Sequence, residues 1–286
     1  MLTNDSTNDS TIDSTKNASS PIAFIGGGNM ASALIGGLLR TGRAPSSVWV
    51  VEPFEAQRDK LQRDFGIHAW PAADARLVGA SRVVWAVKPQ LFAQAAGPCA
   101  AWVTQALQVS VMAGIRTTSI VAATGSARVV RAMPNTPALI GKGISGLYAR
   151  PGVDDAAKAA VNELFAPTGQ SLWVDDEDHL DAVTALSGSG PAYVFYFLEA
   201  MVNAAVDMGL SADQGRALAI ATFDGAAALA AASTQPLDVL RQQVTSRGGT
   251  THAAITAMQA AGIGPAIEAA VRAAQARAAE MGREFG

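Results

Sequence analysis

The sequence predicts an α/β domain with a mostly parallel sheet over residues 21–175, followed by an all-α domain over residues 176–286. Three observations carry that division. Up to about Val174, short β-branched runs alternate with helical patterns, as strands joined by crossover helices do. Beyond Asp175 the strand signals stop, and Ala, Leu and Met at three- and four-residue spacing run to the C-terminus. A chain of 286 residues is also longer than one core usually organises, so two packed units are expected.

In the first domain the predicted strands are 21–26, 48–52, 82–87, 107–112 and 128–133. The unbroken apolar run Val83-Val84-Trp85-Ala86-Val87 marks a strand covered on both faces, where alternation is not required. Helices are predicted over 30–40, 54–65 and 89–105, and a strand pair at 143–148 and 171–174 flanks a further helix at 154–165. In the second domain Val194, Phe197, Leu198, Met201, Val202, Ala205 and Met208 form one apolar stripe, expected to be buried. Gly209 closes that helix and Ser211 caps the next. Residues 217–232 are the most apolar stretch, but Asp224 and many alanines fit a buried helix better than a membrane span. Helices so rich in alanine bury little surface each, so a homodimer is expected to complete their core.

Composition narrows the function. With 49% apolar and 16% charged residues the chain has material for cores and is not generally disordered. A net charge of -3 offers no basic surface for nucleic acid. The lone Cys99 cannot build a disulfide framework and reads as a small apolar residue on a helix. His68, His179 and His252 have no metal-ligand spacing, so no metal is expected. Residues 1–20 are dominated by Thr, Asn, Asp and Ser, with neither a basic start nor an apolar run, which reads as a loose tail and not a signal peptide. A cytoplasmic protein with no nucleic-acid or membrane partner is expected.

The clearest chemical signal is Gly26-Gly27-Gly28-Asn29-Met30-Ala31, at the end of the first strand and the start of the first helix. In this G-x-G-x-x-A pattern Gly26 permits the tight turn, Gly28 lets the backbone approach a pyrophosphate, and Ala31 lets helix and strand pack closely. The helix start adds unpaired N–H groups and partial positive charge for the anion. Glu52 ends the second strand, where a carboxylate can accept both ribose hydroxyls of NADH and repel the extra phosphate of NADPH. Arg58, one turn into the next helix, can instead meet that phosphate, and both residues also read as plain surface charges. The cofactor expectation is therefore NADPH or NADH. Ala86-Val87-Lys88-Pro89 closes another strand at the carboxyl edge of the sheet, where open α/β sheets bind ligands. Pro89 keeps Lys88 out of the helical region, and Lys88 reads either as a cofactor contact or as a surface lysine.

Five segments together resemble the pyrroline-5-carboxylate reductase family. They are Phe24-Ile25-Gly26-Gly27-Gly28-Asn29-Met30, Ala86-Val87-Lys88-Pro89, Arg131-Ala132-Met133-Pro134-Asn135-Thr136-Pro137, Leu186-Ser187-Gly188-Ser189-Gly190-Pro191-Ala192-Tyr193 and Ser246-Arg247-Gly248-Gly249-Thr250-Thr251. They stand in the family's order and span nearly everything from Pro21 onward, with Arg247 where the family often has proline. The resemblance implies a Rossmann-like nucleotide domain, a helical domain interlocked with a second subunit, an active site shared across that dimer and, in some members, rings of dimers.

It also implies the reaction: hydride transfer to the ring imine of pyrroline-5-carboxylate, giving proline. A cyclic imine bound already protonated needs no dedicated proton donor. The site has to hold the substrate carboxylate and ring nitrogen, and glycine N–H groups at the head of a helix form an anion site of that kind at Gly248, Gly249, Thr250 and Thr251. The resemblance and the glycine-led anion loop together assign the Thr251 hydroxyl to the ring nitrogen; Ser187 and Ser189 are candidates for the substrate pocket, and Asn135 with Thr136 for the nicotinamide pocket. From the residues alone, Ser246, Thr250 and Thr251 read equally as helix caps, Ser187–Pro191 as a helix break, and Asn135 with Thr136 as a turn. The β-hydroxyacid dehydrogenases, the nearest enzyme alternative, need a catalytic lysine in the helical half, and there is no lysine from Asp175 onward. A non-catalytic dinucleotide sensor is the alternative from another class.

Overall fold

The structure is a computed structural model that describes residues 20–285, so the tail expected over residues 1–20 lies outside the described residues except for Ser20. Seven strands form one sheet: β1 (Ile22–Ile25), β2 (Val48–Val51), β3 (Arg82–Trp85), β4 (Leu107–Ser110), β5 (Val129–Met133), β6 (Gly143–Ala149) and β7 (Gly169–Trp173). Their order is β2-β1-β3-β4-β5-β6-β7, and the one antiparallel pairing, β5 with β6, turns the last two strands against the rest. Between them lie α1 (Asn29–Arg40), α2 (Glu55–Phe65), α3 (Phe92–Val103), α4 (Thr117–Thr124) and α5 (Asp155–Phe165).

Period-two alternation splits each central strand between two cores. Ile22, Phe24, Val84 and Val109 pack with Leu34, Ile35 and Phe165 on one face, while Ala23, Ile25, Val83 and Trp85 pack with Phe92, Cys99 and Ile120 on the other. Both faces are covered, which explains the continuous apolar runs. Fully buried Trp85 brings one polar atom inside, and its Nε1–H donates to Gln108 Oε1 at 2.9 Å. The Gln108 amide in turn donates to the carbonyls of Val103 and Ala106, so the buried pair is satisfied.

The chain beyond β7 is all-helical. The remaining helices are α6 (His179–Val183), α7 (Gly190–Asp207), α8 (Ala212–Ala232), α9 (Leu237–Gln243), α10 (Thr250–Ala260) and α11 (Ile263–Phe285), with a single π-helical turn over Thr184–Gly188. The chain divides into one compact unit running through Gly188 and rejoined from Gln275 onward, and another of Ser189–Ala274. The first compact unit runs past residue 175, where the sequence changes character. Glu177 is the reason: its carboxylate accepts Arg131 Nη1 of β5 at 3.0 Å, Thr117 N–H at 2.8 Å and Thr117 Oγ1–H at 2.7 Å, which ties the segment to the sheet.

Two burial expectations are corrected. Of the stripe on α7, Ala205 alone is buried, and Met208 is 75% exposed. Helix α8, expected to be buried over 217–232, buries only Gly215 and Ala219, and by length and composition alone it could cross a membrane. Within Ser189–Ala274, α7 and α8 pack along one narrow seam, where a Cβ on Gly215 would stand 2.8 Å from that of Ala205. The other faces have no cover in this unit. Gly209, at φ +93°, leaves α7 as expected, and Ser211 with Gln214 forms a capping box at α8.

Candidate active site

Strand β1 lies between β2 and β3, so the connections from it run to opposite sides and open a crevice at the carboxyl ends of β1 and β3. Gly26 stands there at φ +95°, and a Cβ on it would lie 2.7 Å from the Ala86 carbonyl oxygen. Only glycine fits. Its N–H donates to Val51 O at 2.9 Å. Gly27 is held on both sides: its N–H donates to Glu52 Oε2 at 2.8 Å, and its carbonyl accepts Gln57 Nε2–H. Gly28 is exposed, caps α1 through its backbone, and would carry a Cβ with nothing within 4 Å. The first bond of α1 is Ser32 N–H to Gly28 O at 2.8 Å, so the N–H groups of Asn29, Met30 and Ala31 have no intrahelical acceptor. Ala31 is fully buried. A narrow glycine turn, open space and free N–H groups at one helix start fit a dinucleotide pyrophosphate.

Beside the turn runs an open cavity of about 380 Å³, lined by Gly26, Pro53, Phe54, Val87, Leu91 and Cys99 among others. Its walls are mainly apolar, as a flat aromatic base requires. Burial pushes the Cys99 thiol up to about 11, so Cys99 is wall and not nucleophile. Lys88 is exposed, with the extended backbone that Pro89 imposes, and Pro89 starts a 3-10 turn over Pro89–Leu91.

Glu52 departs from its expected orientation. It is 5% exposed, and both oxygens are taken by backbone, Oε2 by Gly27 N–H and Oε1 by Phe54 N–H at 2.9 Å. The carboxylate is folded into the turn and is not displayed to a ribose. Arg58, half-buried, places Nη1 on the carbonyls of Glu52 at 3.0 Å and Pro53 at 2.6 Å.

Asn135 also proves to be a clamp. It is 9% exposed; its Oδ1 accepts Ile144 N–H at 3.0 Å and its Nδ2 donates to Ser187 O at 3.2 Å, tying the end of β5 to β6 and to the π-helical turn. Ser187 spends its hydroxyl on Val183 O at 3.0 Å, whereas Ser189, at the N-cap of α7, makes no side-chain cap bond. Thr136, itself exposed, opens a 3-10 turn, Thr136–Ile140. The residues that sequence reasoning missed are Gln57 and the Arg131–Glu177 pair. An arginine inside the apolar run Val129-Val130-Arg131-Ala132-Met133 was the available signal, because a charge in a buried strand needs a partner.

Within the second unit, Gly248 at φ +77° and a Gly249 N–H to Ser246 O bond of 3.0 Å make the turn before α10. Gly249, which has no side chain to cap with, is the N-cap of α10, so Ser246, Thr250 and Thr251 do not hold that position. Ala253 N–H to Gly249 O, at 3.1 Å, is the first helical bond. The N–H groups of Thr250, Thr251 and His252 therefore precede the hydrogen-bonded ladder, with two threonine hydroxyls beside them. Arg247 is exposed in this turn. Among the described residues no group of His, Cys, Asp and Glu could hold a metal.

A glycine turn at the switch point of a mostly parallel sheet, followed by a helical unit, defines a dinucleotide-dependent oxidoreductase of the two-domain type. Comparisons agree and go further. Residues 21–114 match the family model described as NADP oxidoreductase coenzyme F420-dependent, and residues 177–281 match the one described as pyrroline-5-carboxylate reductase dimerisation. The pyrroline-5-carboxylate reductase of Pseudomonas aeruginosa is 43% identical over 93% of this chain and 98% of its own, and that of Synechocystis is 34% identical over 93% and 100%. The solved structure of a pyrroline-5-carboxylate reductase from Coxiella burnetii superposes with a TM-score of 0.84 at 35% identity, over 92% of this chain and 98% of its own. The pyrroline carboxylate reductase of Plasmodium falciparum with NADP bound gives 0.82 at 26% identity, with the same coverage. The chain belongs to the pyrroline-5-carboxylate reductase family.

Proposed function

We propose that this protein reduces the ring imine of pyrroline-5-carboxylate to proline, the last step of proline biosynthesis, as a cytoplasmic homodimer using NADPH or NADH. The observation that carries the reading is the start of α10: three N–H groups outside the helical ladder and the hydroxyls of Thr250 and Thr251, led by Gly248 and Gly249, within the stretch that matches the dimerisation model. The N–H groups and partial positive charge hold the substrate carboxylate. Thr251 Oγ1 bonds the ring nitrogen, and Ser189 lies with the substrate. The cofactor's pyrophosphate rests on Gly28, Asn29 and Met30, its adenine in the groove by Val87 and Leu91, with Lys88 at the same edge. When bound, the reduced nicotinamide supplies a hydride. The chain's own residues orient the imine carbon, and orientation of this kind lowers barriers by about 7 kcal/mol in favourable models. The exposed faces of α7 and α8 pair with a second copy.

Purified protein given pyrroline-5-carboxylate and either reduced cofactor should consume nicotinamide absorbance and form proline in equal amounts. No turnover with either cofactor, where dinucleotide binding is demonstrated, refutes the reductase reading.

A further inference from the structure

We propose that the amino edge of the sheet carries a second binding site, which takes a small aliphatic α-amino acid as its zwitterion. The inference goes beyond the reductase reading and does not depend on it. At that edge Arg82 opens β3, Leu107 opens β4, Arg128 directly precedes β5, and Asp154 caps α5. The three strands run parallel, so their starts lie side by side. With Ala157 and Ala160 of α5 these residues line a cavity of about 280 Å³, and all of them belong to the first compact unit. The glycine turn is at the other end of the same sheet. About 13 Å of extended chain separates Arg82 from Ala86, whose N–H donates to Ile25 O just before that turn.

Two opposite charges line this cavity without pairing. The Arg128 side chain is exposed and has no hydrogen-bond or ion-pair partner among the described residues. Asp154, also exposed, spends Oδ1 on Ala157 N–H at 2.7 Å, and its Oδ2 has no partner among the described residues. A cation and a carboxylate held apart on one cavity match a molecule that carries both charges. A carboxylate fits the planar fork of Arg128, and an ammonium donates to Asp154 Oδ2. A doubly charged anion such as phosphate would meet the Asp154 carboxylate and fits less well. Buried Arg82 closes the cavity from within, its Nη1 donating to Ala160 O at 2.8 Å. Leu107, Ala157 and Ala160 are buried as well, and they give a short aliphatic side chain apolar surface to rest on.

The test is a ligand-observed NMR titration of the full chain with L-valine, isovalerate and isobutylamine, the last two lacking the ammonium and the carboxylate respectively. Charges at an exposed rim are screened, so L-valine should bind with roughly millimolar affinity. Each truncated probe should bind roughly fivefold more weakly. Arg128→Gln should weaken L-valine roughly fivefold on the same basis, with melting and reductase kcat/KM unchanged. Asp154→Asn keeps a capping side chain and removes the charge, so it should weaken L-valine by a similar factor and leave isovalerate alone. Thr251→Val, altered in the proposed substrate site, should bind L-valine as the wild-type protein does. Absence of saturable L-valine binding, or equal binding of L-valine and isovalerate, overturns the proposal. So does binding that is lost in Thr251→Val and kept in Arg128→Gln, which would put the amino acid in the substrate site. A chain that binds L-valine through Arg128 but shows no turnover would instead bring down the reductase reading alone.

Discussion

Gly26 and Gly28 lie two residues apart in the same turn, yet substitution should separate folding from cofactor binding. Gly28 has φ −67°, which any residue adopts, and open space around its missing Cβ. Gly28→Val should therefore cost little stability, about 1 kcal/mol at most for a poorer helix cap. Its branched side chain takes the space of the pyrophosphate, however. Loss of two charge-assisted N–H bonds at about 1.5–3 kcal/mol each gives at least a hundredfold weaker binding. Gly26→Ala is the opposite case. The left-handed backbone costs about 1–2 kcal/mol, and a Cβ 2.7 Å from Ala86 O and 3.0 Å from Val87 Cγ1 meets atoms that a strand cannot move freely. Overpacking of this kind adds about 1–3 kcal/mol, so melting should fall by roughly 5–15 °C for a unit of this size. Circular dichroism melting and NADPH fluorescence titration on both variants read the two effects apart. Wild-type cofactor affinity in Gly28→Val, or equal destabilisation of the two variants, would refute the reasoning.

Glu177→Ala leaves Arg131 buried without its carboxylate and Thr117 without its cap; loss of about 3–5 kcal/mol is expected by urea denaturation, and a loss below about 1 kcal/mol would show that water replaces the carboxylate. Asp181→Asn should stabilise the protein near neutral pH. Burial, opposed by Arg131 and Arg116, raises the Asp181 carboxyl above the usual range, so its favourable contribution is complete below the ordinary carboxylate pKa and is lost as pH rises through the raised folded value. The melting gain of the variant should therefore appear at pH 7 and vanish below about pH 4, and an equal gain at both would exclude the ionisation account. Thr251→Val keeps the branched shape and removes the hydroxyl, so kcat/KM should drop about ten- to hundredfold with cofactor affinity and melting unchanged. A variant that melts earlier but keeps full efficiency would make Thr251 purely structural.

Sequence pattern made all seven strands and helices α1, α2, α3 and α5 of the sheet domain legible because their signals are local: β-branched runs, a glycine turn, and helices of ordinary amphipathic period. Helix α4 was not legible. Thr117 receives no side-chain cap from its neighbours, and its N–H is held by Glu177, sixty positions away. The site divided in the same way. Gly26 follows from backbone geometry that only glycine allows, and Gly28 from the bare backbone that a pyrophosphate needs beside it, so residue type alone was informative. Glu52 and Asn135 were found as residues but misread in orientation, because spacing places a side chain at a strand end without saying whether it faces ligand or its own backbone. Both turned inward for one reason. The N–H groups of Gly27, Phe54 and Ile144 all need acceptors at chain corners, and the nearest polar side chain supplies them.

The same logic explains why the helical unit reads as a core in sequence and as a surface in space. Phe195, Tyr196, Met208, Leu218 and Leu229 are all more than half exposed. A monomer rarely leaves so much apolar surface contiguous with its helices uncovered. Lipid would be a poor cover: α7 carries Glu199 and Asp207, and α8 carries Asp213, Arg216 and Asp224, each of which would be placed at or near hydrocarbon. The second copy proposed above would resolve the conflict, since it would offer apolar surface to the stripes while leaving their charged edges in water. Alanine then acquires a purpose. Small side chains let helix backbones approach closely, as Gly215 already does against Ala205 within one chain, and close approach multiplies the weak contacts that each small residue makes.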